Sequence, residues 1–499
     1  MWRVDSFRSK TVFVTGVTGF LGKVFIEKIL RIQPNVKKLF LLIRAADDES
    51  AMQRLRDEVI GKDLFRVLRN EWGENFESFI SQKLIPIVGD VSNPDLGLDA
   101  NVRKMICQEA DFIVNIAAIT DFDERYDVTL GINTFGVMHI MNMARECSKL
   151  QIFLHVSTAY VHGEKSGILP ETTFSMDQIV DGTNDVISIS NEKEISDRKL
   201  DELRSQKCSQ AEEKQAMRDL GLQRARMHGW PNTYAFTKSM GEMVLEEMKG
   251  EVPLVIVRPT VVTSTYKDPF PGWVEGFRTV EAFAYHFARG KMNFVAADPN
   301  LIFDVIPVDM VVNLMIIAMA ANCDKPGRYM IYQIGSSLRN PAKVTTLFKC
   351  FWHHFSKHPR LDKDGKIIKV SEFEIIPSME NFYKRIARRY ILPLKVDRYN
   401  VIKLANIVMC HYMDGYCQKA ERKIRFFVRL MELYRPYLFF KGRFDDKNTQ
   451  ELRVEMGRGT SSSCSDETAI YLEFDPKAID WTDYFMNIQI PGVVKYVFK

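Results

Sequence analysis

Tyr234 and Lys238 stand four residues apart in GWPNTYAFTKSMGE, a stretch that reads as the opening of a helix running to about residue 248. At that spacing two side chains share one helix face. A tyrosine hydroxyl titrates near about 10. A neighbouring ammonium favours its phenolate, so the pair can give up and take back a proton near neutrality. Upstream, the apolar run 152–156 reads as a strand, and Ser157 and Thr158 follow it directly in STAYVHG. Hydroxyls at such a strand end are candidate proton donors. A YxxxK spacing alone is weak, because long chains contain it by chance. It gains weight from the strand-end hydroxyls and from a glycine-rich loop near the N-terminus, in that order along the chain.

That loop is KTVFVTGVTGFLG, residues 10–22. Residues 11–15 form an apolar, β-branched run that reads as a buried strand, and residues 23–32 read as a helix. Between them lie Thr15, Gly16, Thr18, Gly19, Phe20, Leu21 and Gly22. Strand, glycine turn and helix form the context of a dinucleotide-binding loop. Gly16 allows the tight turn, Gly19 lets backbone approach a pyrophosphate, and Gly22 lets the helix pack closely on the strand. The helix start then offers free N–H groups and a positive dipole end to phosphate.

The elements that must position these groups follow in order. Residues 36–44 form a second strand ending at Arg44. An acid at this strand end favours a ribose 2′-hydroxyl, and an arginine favours a 2′-phosphate. Arg44 therefore points to NADPH, although Asp47 and Asp48 follow closely. Residues 84–91 form a third strand whose Gly-Asp-Val ending places Asp90 and Val91 where an adenine would lie. The strand 112–115 ends at Asn115 and leads into Ala117, whose small side chain leaves room for the cofactor. Helical patterns at 51–67, 102–109 and 133–148 separate the strands. Alternating β and α at this spacing predicts a doubly wound, parallel, Rossmann-type sheet. Residues 252–259 add a strand, 260–265 form a hydroxyl-rich loop expected to line the site, and 303–310 lead into a helix through 321.

Bulk properties narrow the class. The chain has 499 residues, 46% hydrophobic, with a net charge of +4 from 68 basic and 64 acidic residues. That is ample for two or three domains and gives no argument for a nucleic-acid partner. Eight scattered cysteines without a CxxC pair read as free thiols in a reducing compartment, with no metal site. No run reaches the ~20 apolar residues of a membrane span. The charged stretch 187–228 reads as a solvated insertion of one or two helices, with a lid over the substrate as the alternative.

Beyond about residue 340 the cofactor pattern stops. Residues 347–358, 379–390 and 399–413 read as helices. Residues 419–444 carry eight basic side chains against two acidic ones, interleaved with aromatics. This stretch reads either as a core-packed helix with a solvated basic face or as a surface for an anionic membrane. Residues 457–466 read as a small, polar loop.

Taken together, TGxxGxxG, Gly89-Asp90-Val91, Asn115-Ile116-Ala117-Ala118, STAYVHG and YxxxK resemble an extended short-chain dehydrogenase/reductase. The fuller wording of KTVFVTGVTGFLGKVFIEKILR, PNVKKLFLLIRA, HVSTAYVHG, GWPNTYAFTKSMGE and the late DWTDYF closely resembles the alcohol-forming fatty acyl-CoA reductases, most like those of plants. The likeness covers nearly the whole chain. It implies a reductase domain over 1–340 and a smaller, mainly helical C-terminal domain over 341–499. It implies Tyr234 as proton donor, Lys238 as the residue that holds the nicotinamide ribose and tunes the tyrosine, and Thr158 as the hydroxyl that polarises the substrate carbonyl, with Ser157 as the alternative. Gly16, Gly19 and Gly22 match the pyrophosphate loop. The implied reaction takes a long-chain acyl-CoA and NADPH through an aldehyde to a primary alcohol of the lipid and wax type; release of the aldehyde is the alternative. The expected location is the cytosol or the cytoplasmic face of the endoplasmic reticulum, with peripheral membrane association. A plastid is disfavoured, because the family's plastid members carry a long N-terminal extension that this sequence does not show.

Overall fold

Short apolar runs broken by glycine and polar turns build one sheet. The computed structural model describes residues 4–173, 187–290, 292–391, 410–460 and 472–498. Strands β1 (Thr11–Thr15), β2 (Lys38–Ile43), β3 (Leu84–Val88), β4 (Phe112–Asn115), β5 (Ile152–Val156), β6 (Leu254–Pro259) and β7 (Tyr329–Ile334) form a seven-stranded sheet. Their order is β7-β6-β5-β4-β1-β2-β3, and every neighbouring pair is parallel. Every residue of β1, β4, β5 and β6 is buried, as expected of a parallel sheet covered on both faces. Chain order reverses between β1 and β4. In open α/β sheets this switch point opens a crevice at the carboxyl ends of the strands, where ligands bind.

Helices α1 (Phe20–Ile32), α2 (Asp48–Arg54), α3 (Gly136–Glu146), α4 (Ile189–Ser205), α5 (Gln210–Met227), α6 (Thr233–Met248) and α7 (Val308–Asn322) follow in sequence. The helical pattern at 51–67 is interrupted: α2 widens into a looser turn over Leu55–Ile60 and stops at Gly61, whose N–H reaches Arg56 O at 2.7 Å. Helix α6 begins sharply because the Asn232 side chain accepts from Ala235 N at 2.9 Å. It is clamped sideways by Asn133 Nδ2 to Thr237 Oγ1 (3.0 Å) and Thr134 Oγ1 to Thr237 O (2.9 Å). Gly241 permits this close approach, since a Cβ there would meet Asn133 O at 2.4 Å.

The charged stretch 187–228 forms two helices, α4 and α5, and they are more than a solvated insertion. Met217 and Ala225 are buried in one cluster with Tyr126, Trp230, Phe236 and Met240. Glu192, 1% exposed, accepts from Tyr126 Oη at 2.6 Å and from Arg224 Nε at 3.0 Å. The weak apolar periodicity hid this because few positions of α4 and α5 are buried and one of those is the charged Glu192, paired with Arg224.

The described chain divides into two compact units. The first comprises Met1–Thr279, Asp304–Pro341 and Gly442–Lys499; the second comprises Val280–Phe303 and Ala342–Lys441. The chain thus returns to the sheet-bearing unit at its end. Strand Gly442–Phe444 pairs in parallel with Gly167–Leu169. Tyr484 Oη lies 2.8 Å from Thr263 Oγ1, and Ser264 N donates to Gln489 Oε1 at 2.8 Å. Thr263 and Ser264 of the 260–265 loop therefore anchor the C-terminal segment, Thr265 donates within its own turn to Phe270 O at 2.7 Å, and only Val262 of that loop reaches the cavity described below.

The second unit is held by aromatic packing. Phe348 stacks on Phe373 at 4.1 Å, and Phe294 meets both Phe382 and Phe427. Its helices include Val344–Lys357, Met379–Ile386 and the long Cys410–Leu438. Most of the helix expected at 399–413 lies outside the described residues. In Cys410–Leu438, Met431 is buried and Phe426 is 53% exposed; the side chains of Lys419, Arg422 and Lys423 lie outside the described residues. Helix Lys447–Thr460 in the first unit carries the first residues of the expected 457–466 loop, and 461–466 lie outside the described residues.

Candidate active site

The glycine loop is a backbone cradle. Gly16 sits at φ +72°, and a Cβ there would meet Ala117 N at 2.6 Å and Ile116 C at 2.7 Å. The turn after β4 therefore lies directly against the turn after β1. A Cβ on Gly22 would meet Gly16 O at 2.3 Å, so Gly22 serves loop-to-helix packing. Helix α1 starts at Phe20 with Gly19 as its cap and no side-chain cap bond, which leaves its first N–H groups for an anion. Phe20 is fixed by stacking on Trp273 at 5.3 Å.

One cavity is lined by Gly16, Thr18, Gly19, Phe20, Leu21, Arg44, Asp90, Val91 and Ala117, and also by Tyr234 and Lys238. The expected proton-transfer pair and most of the expected dinucleotide residues thus share one space. Four expected residues do not line it. Gly22 packs behind the loop, and Thr15 and Asn115 lie beneath it, bonded to each other at 2.6 Å. Thr158 stands behind Tyr234, hydrogen-bonded to it, and its hydroxyl also accepts from Tyr160 N at 3.3 Å.

Electrostatics separate the two reactive groups. Burial pushes the Tyr234 hydroxyl up to about 12, opposed by the Thr158 hydrogen bond and the positive Arg278. Burial brings Lys238 down to about 8, opposed by the charge of Glu242. Lys238 Nζ donates to Val156 O at 2.8 Å and lies 3.2 Å from His155 Nε2. A positive charge near a phenol eases its proton loss, and Arg278 has that effect on Tyr234.

Sequence reasoning passed over three residues and ranked a fourth, Ser157, second. Ser157, taken as the alternative to Thr158, lines the cavity, and its buried Oγ has no hydrogen-bond partner among the described residues. Arg54 lines the cavity beside Arg44 and donates to the Arg44 carbonyl. Arg278 lines it too, and no local motif marks it. His155 lies beneath Lys238, and the signal available was a polar residue inside the buried run IFLHV. The structure also settles what the acid after β2 does: Asp47 accepts from Ser50 N at 2.8 Å and caps α2. Arg44 and Arg54 remain as the charged side chains of that strand end that line the cavity.

The residues fit a nicotinamide dinucleotide. The cradle admits no Cβ at Gly16, and an orphaned buried hydroxyl at Ser157 faces the same space as Tyr234 and Lys238. Fold and site together define a dinucleotide-dependent reductase of the short-chain dehydrogenase type. Comparison with known proteins gives the family. Residues 14–315 match the NAD-binding family described as "Male sterility protein", and 399–499 match its "Sterile" counterpart. The chain is 47% identical to "Probable fatty acyl-CoA reductase 4" of Arabidopsis thaliana over 498 residues, 99% of each chain. It is 43% identical to the "Alcohol-forming fatty acyl-CoA reductase" of Simmondsia chinensis over 495 residues, 98% of each. Among solved structures, a reductase domain of a non-ribosomal peptide synthetase from Mycobacterium tuberculosis aligns with a TM-score of 0.57 at 16% identity, covering 100% of this chain and 97% of that one. That likeness concerns the fold. The chain belongs to the fatty acyl-CoA reductase family.

Proposed function

We propose that this enzyme reduces long-chain fatty acyl-CoA to the primary fatty alcohol with NADPH, through an aldehyde kept in the site. The observation that carries the reading is the meeting of Tyr234 and Lys238 in the cavity that also holds the glycine cradle, with Thr158 hydrogen-bonded to Tyr234. The bound nicotinamide supplies hydride. The protein's part is to hold the thioester carbonyl oxygen between the Thr158 and Tyr234 hydroxyls, whose hydrogen bonds strengthen as negative charge develops there. Tyr234 then supplies the proton, and Lys238, charged below about 8, stabilises the phenolate left behind. Collapse of the tetrahedral adduct expels the CoA thiol and leaves the aldehyde, and the same hydroxyls serve a second reduction.

Arg44 and Arg54 are assigned to the 2′-phosphate. Arg44→Ala is expected to weaken NADPH by about tenfold or more while NADH changes little, the loss of one charge-assisted contact. Fluorescence titration with both cofactors checks this; equal loss of both would remove the assignment. No helix among the described residues is long and apolar enough to cross a membrane. We assign the protein to the cytoplasmic face of the endoplasmic reticulum or the cytosol, with any membrane contact peripheral and made through the basic 419–444 stretch.

The test of the reaction is product analysis with purified protein, NADPH and a series of acyl-CoAs. About two NADPH oxidised per thiol released, with primary alcohol, is the expected result. About one, with free aldehyde, moves the enzyme to the aldehyde-forming alternative.

A further inference from the structure

Three buried polar side chains lie in one row across the sheet. Thr15 of β1 is in register with Asn115 of β4, and Asn115 with His155 of β5. All three are at most 1% exposed. Thr15 Oγ1 donates to Asn115 Oδ1 at 2.6 Å, and Asn115 Nδ2 lies 3.0 Å from His155 Nδ1. His155 Nε2 lies 3.2 Å from Lys238 Nζ. At the other end, Ala117 N donates to Thr15 Oγ1 at 3.2 Å. An unbroken hydrogen-bonded path therefore joins Lys238 to the turn that backs Gly16 in the cradle. The reaction described above uses only its last member.

We propose that His155 is a positioning residue for Lys238, fixing the ammonium in place, keeping it charged and tying it through Asn115 and Thr15 to the dinucleotide loop. An ammonium has three donors. Val156 O takes one, and another is left for the cavity that Lys238 lines. In a buried site an unmet donor on a charged group costs more than one on a neutral group, so the third needs an acceptor. His155 can supply it. Burial and the charge of Lys238 hold its imidazole well below its ordinary value, so the ring is neutral with a lone pair on one nitrogen.

Which nitrogen carries that lone pair depends on Asn115. With the amide NH2 turned to the ring, as Asn115 Nδ2 is in this structure, Nδ1 accepts and Nε2 carries the proton, which suits an uncharged lysine. If the amide turns its oxygen to the ring, Nδ1 carries the proton and Nε2 accepts from the ammonium. The charge of Lys238 is thereby linked to the orientation of one buried amide. Other titratable groups around Lys238 are Tyr234 and Glu242 on its own helix. Glu242 is paired with Arg258 of β6 at 3.0 Å, and Arg278 lines the same cavity. None of these replaces an acceptor at His155.

The inference rests on the acyl-CoA reading for its turnover assay but not for its binding assay. The test compares wild type, His155→Leu and His155→Gln as full chains. For each, kcat and KM for a long-chain acyl-CoA and the affinity for NADPH by fluorescence are measured from about pH 6 to about pH 10, spanning the ordinary histidine and lysine values. The wild type is expected to lose kcat/KM above about 8, where Lys238 loses its charge. Loss of the acceptor disfavours the ammonium, so His155→Leu should move that limb down by about one unit, equivalent to one charged hydrogen bond. Its kcat should fall by about tenfold or more even below the limb, a change of the same size in the barrier. His155→Gln, whose amide oxygen can accept, should restore most of both. A folded His155→Leu enzyme with an unmoved limb and normal kcat overturns the proposal. So does a glutamine variant as impaired as the leucine variant with the limb unmoved, which marks a purely structural histidine. Should the leucine variant fail to fold, Asn115→Leu removes the partner that sets the ring tautomer and must move the limb; an unmoved limb again overturns it. If the wild type binds NADPH but turns over no acyl-CoA, the substrate reading fails, and the pH dependence of NADPH binding in the same variants still decides the role of His155.

Discussion

Replacing Tyr234 with phenylalanine should reduce turnover by about a hundredfold to ten-thousandfold while NADPH binding stays within a few-fold of wild type, the range a positioned general acid contributes. The substitution removes one oxygen and leaves the ring, which packs near Phe122 at 5.8 Å, so the cavity wall is preserved. The lost hydroxyl is both the proton source and one of the two donors to the developing oxyanion, the other being Thr158, to which it is hydrogen-bonded. Single-turnover rates and cofactor fluorescence measure the two halves separately. Near-normal rates would take the proton-donor role away from Tyr234.

The second large effect is expected at the cradle. Gly16→Ala puts a Cβ within 2.6 Å of Ala117 N and 2.7 Å of Ile116 C, both backbone atoms that cannot turn away, at a φ of +72°. The conformational strain alone is about 1–3 kcal/mol. Relief requires the two turns to part, which opens the pyrophosphate cradle. NADPH affinity should fall by about a hundredfold, since a shift of about 2.7 kcal/mol in binding has that consequence. Gly250→Ala is the matched control: φ there is +50°, and nothing lies within 4 Å of the added Cβ. It should lose stability comparable to the strain and leave NADPH binding unchanged. Equal binding loss in both variants would trace the Gly16 effect to strain instead of to the cradle.

The sequence was most informative where function is local. The cradle spans residues 15–22, and its glycines have recognisable roles because turn, phosphate approach and helix packing all occur within one strand–turn–helix unit. Tyr234 and Lys238 were readable for the same reason, since one helical turn sets their spacing. The parallel sheet was readable because buried strands leave continuous apolar runs separated by helical periods. Less was visible where a polar group is matched by a distant one. The buried face of α4 and α5 carries Glu192 and Arg224, charges that pattern reading assigns to solvent and that the fold pairs across 32 residues. The hydroxyls at 263 and 264 suggested a site wall, but both bond Tyr484 from the other end of the chain. Asp47 competed with Arg44 on paper until its role as the cap of α2 removed it.

By itself, then, the sequence determined the sheet, the cradle, the Tyr–Lys pair and the family, because each is written within a few consecutive turns of chain or across the whole of it as wording. Only the tertiary structure decided that the segment from Gly442 onward rejoins the sheet-bearing unit, that Ser157 lines the cavity with a hydroxyl unpartnered among the described residues while Thr158 is hydrogen-bonded to Tyr234, and that Thr15, Asn115 and His155 form one row ending at Lys238. Those relations are made by register between strands that are 100 and 40 residues apart. Parallel pairing fixes such neighbours through crossovers of the chain, and no local period records which residue will stand beside which.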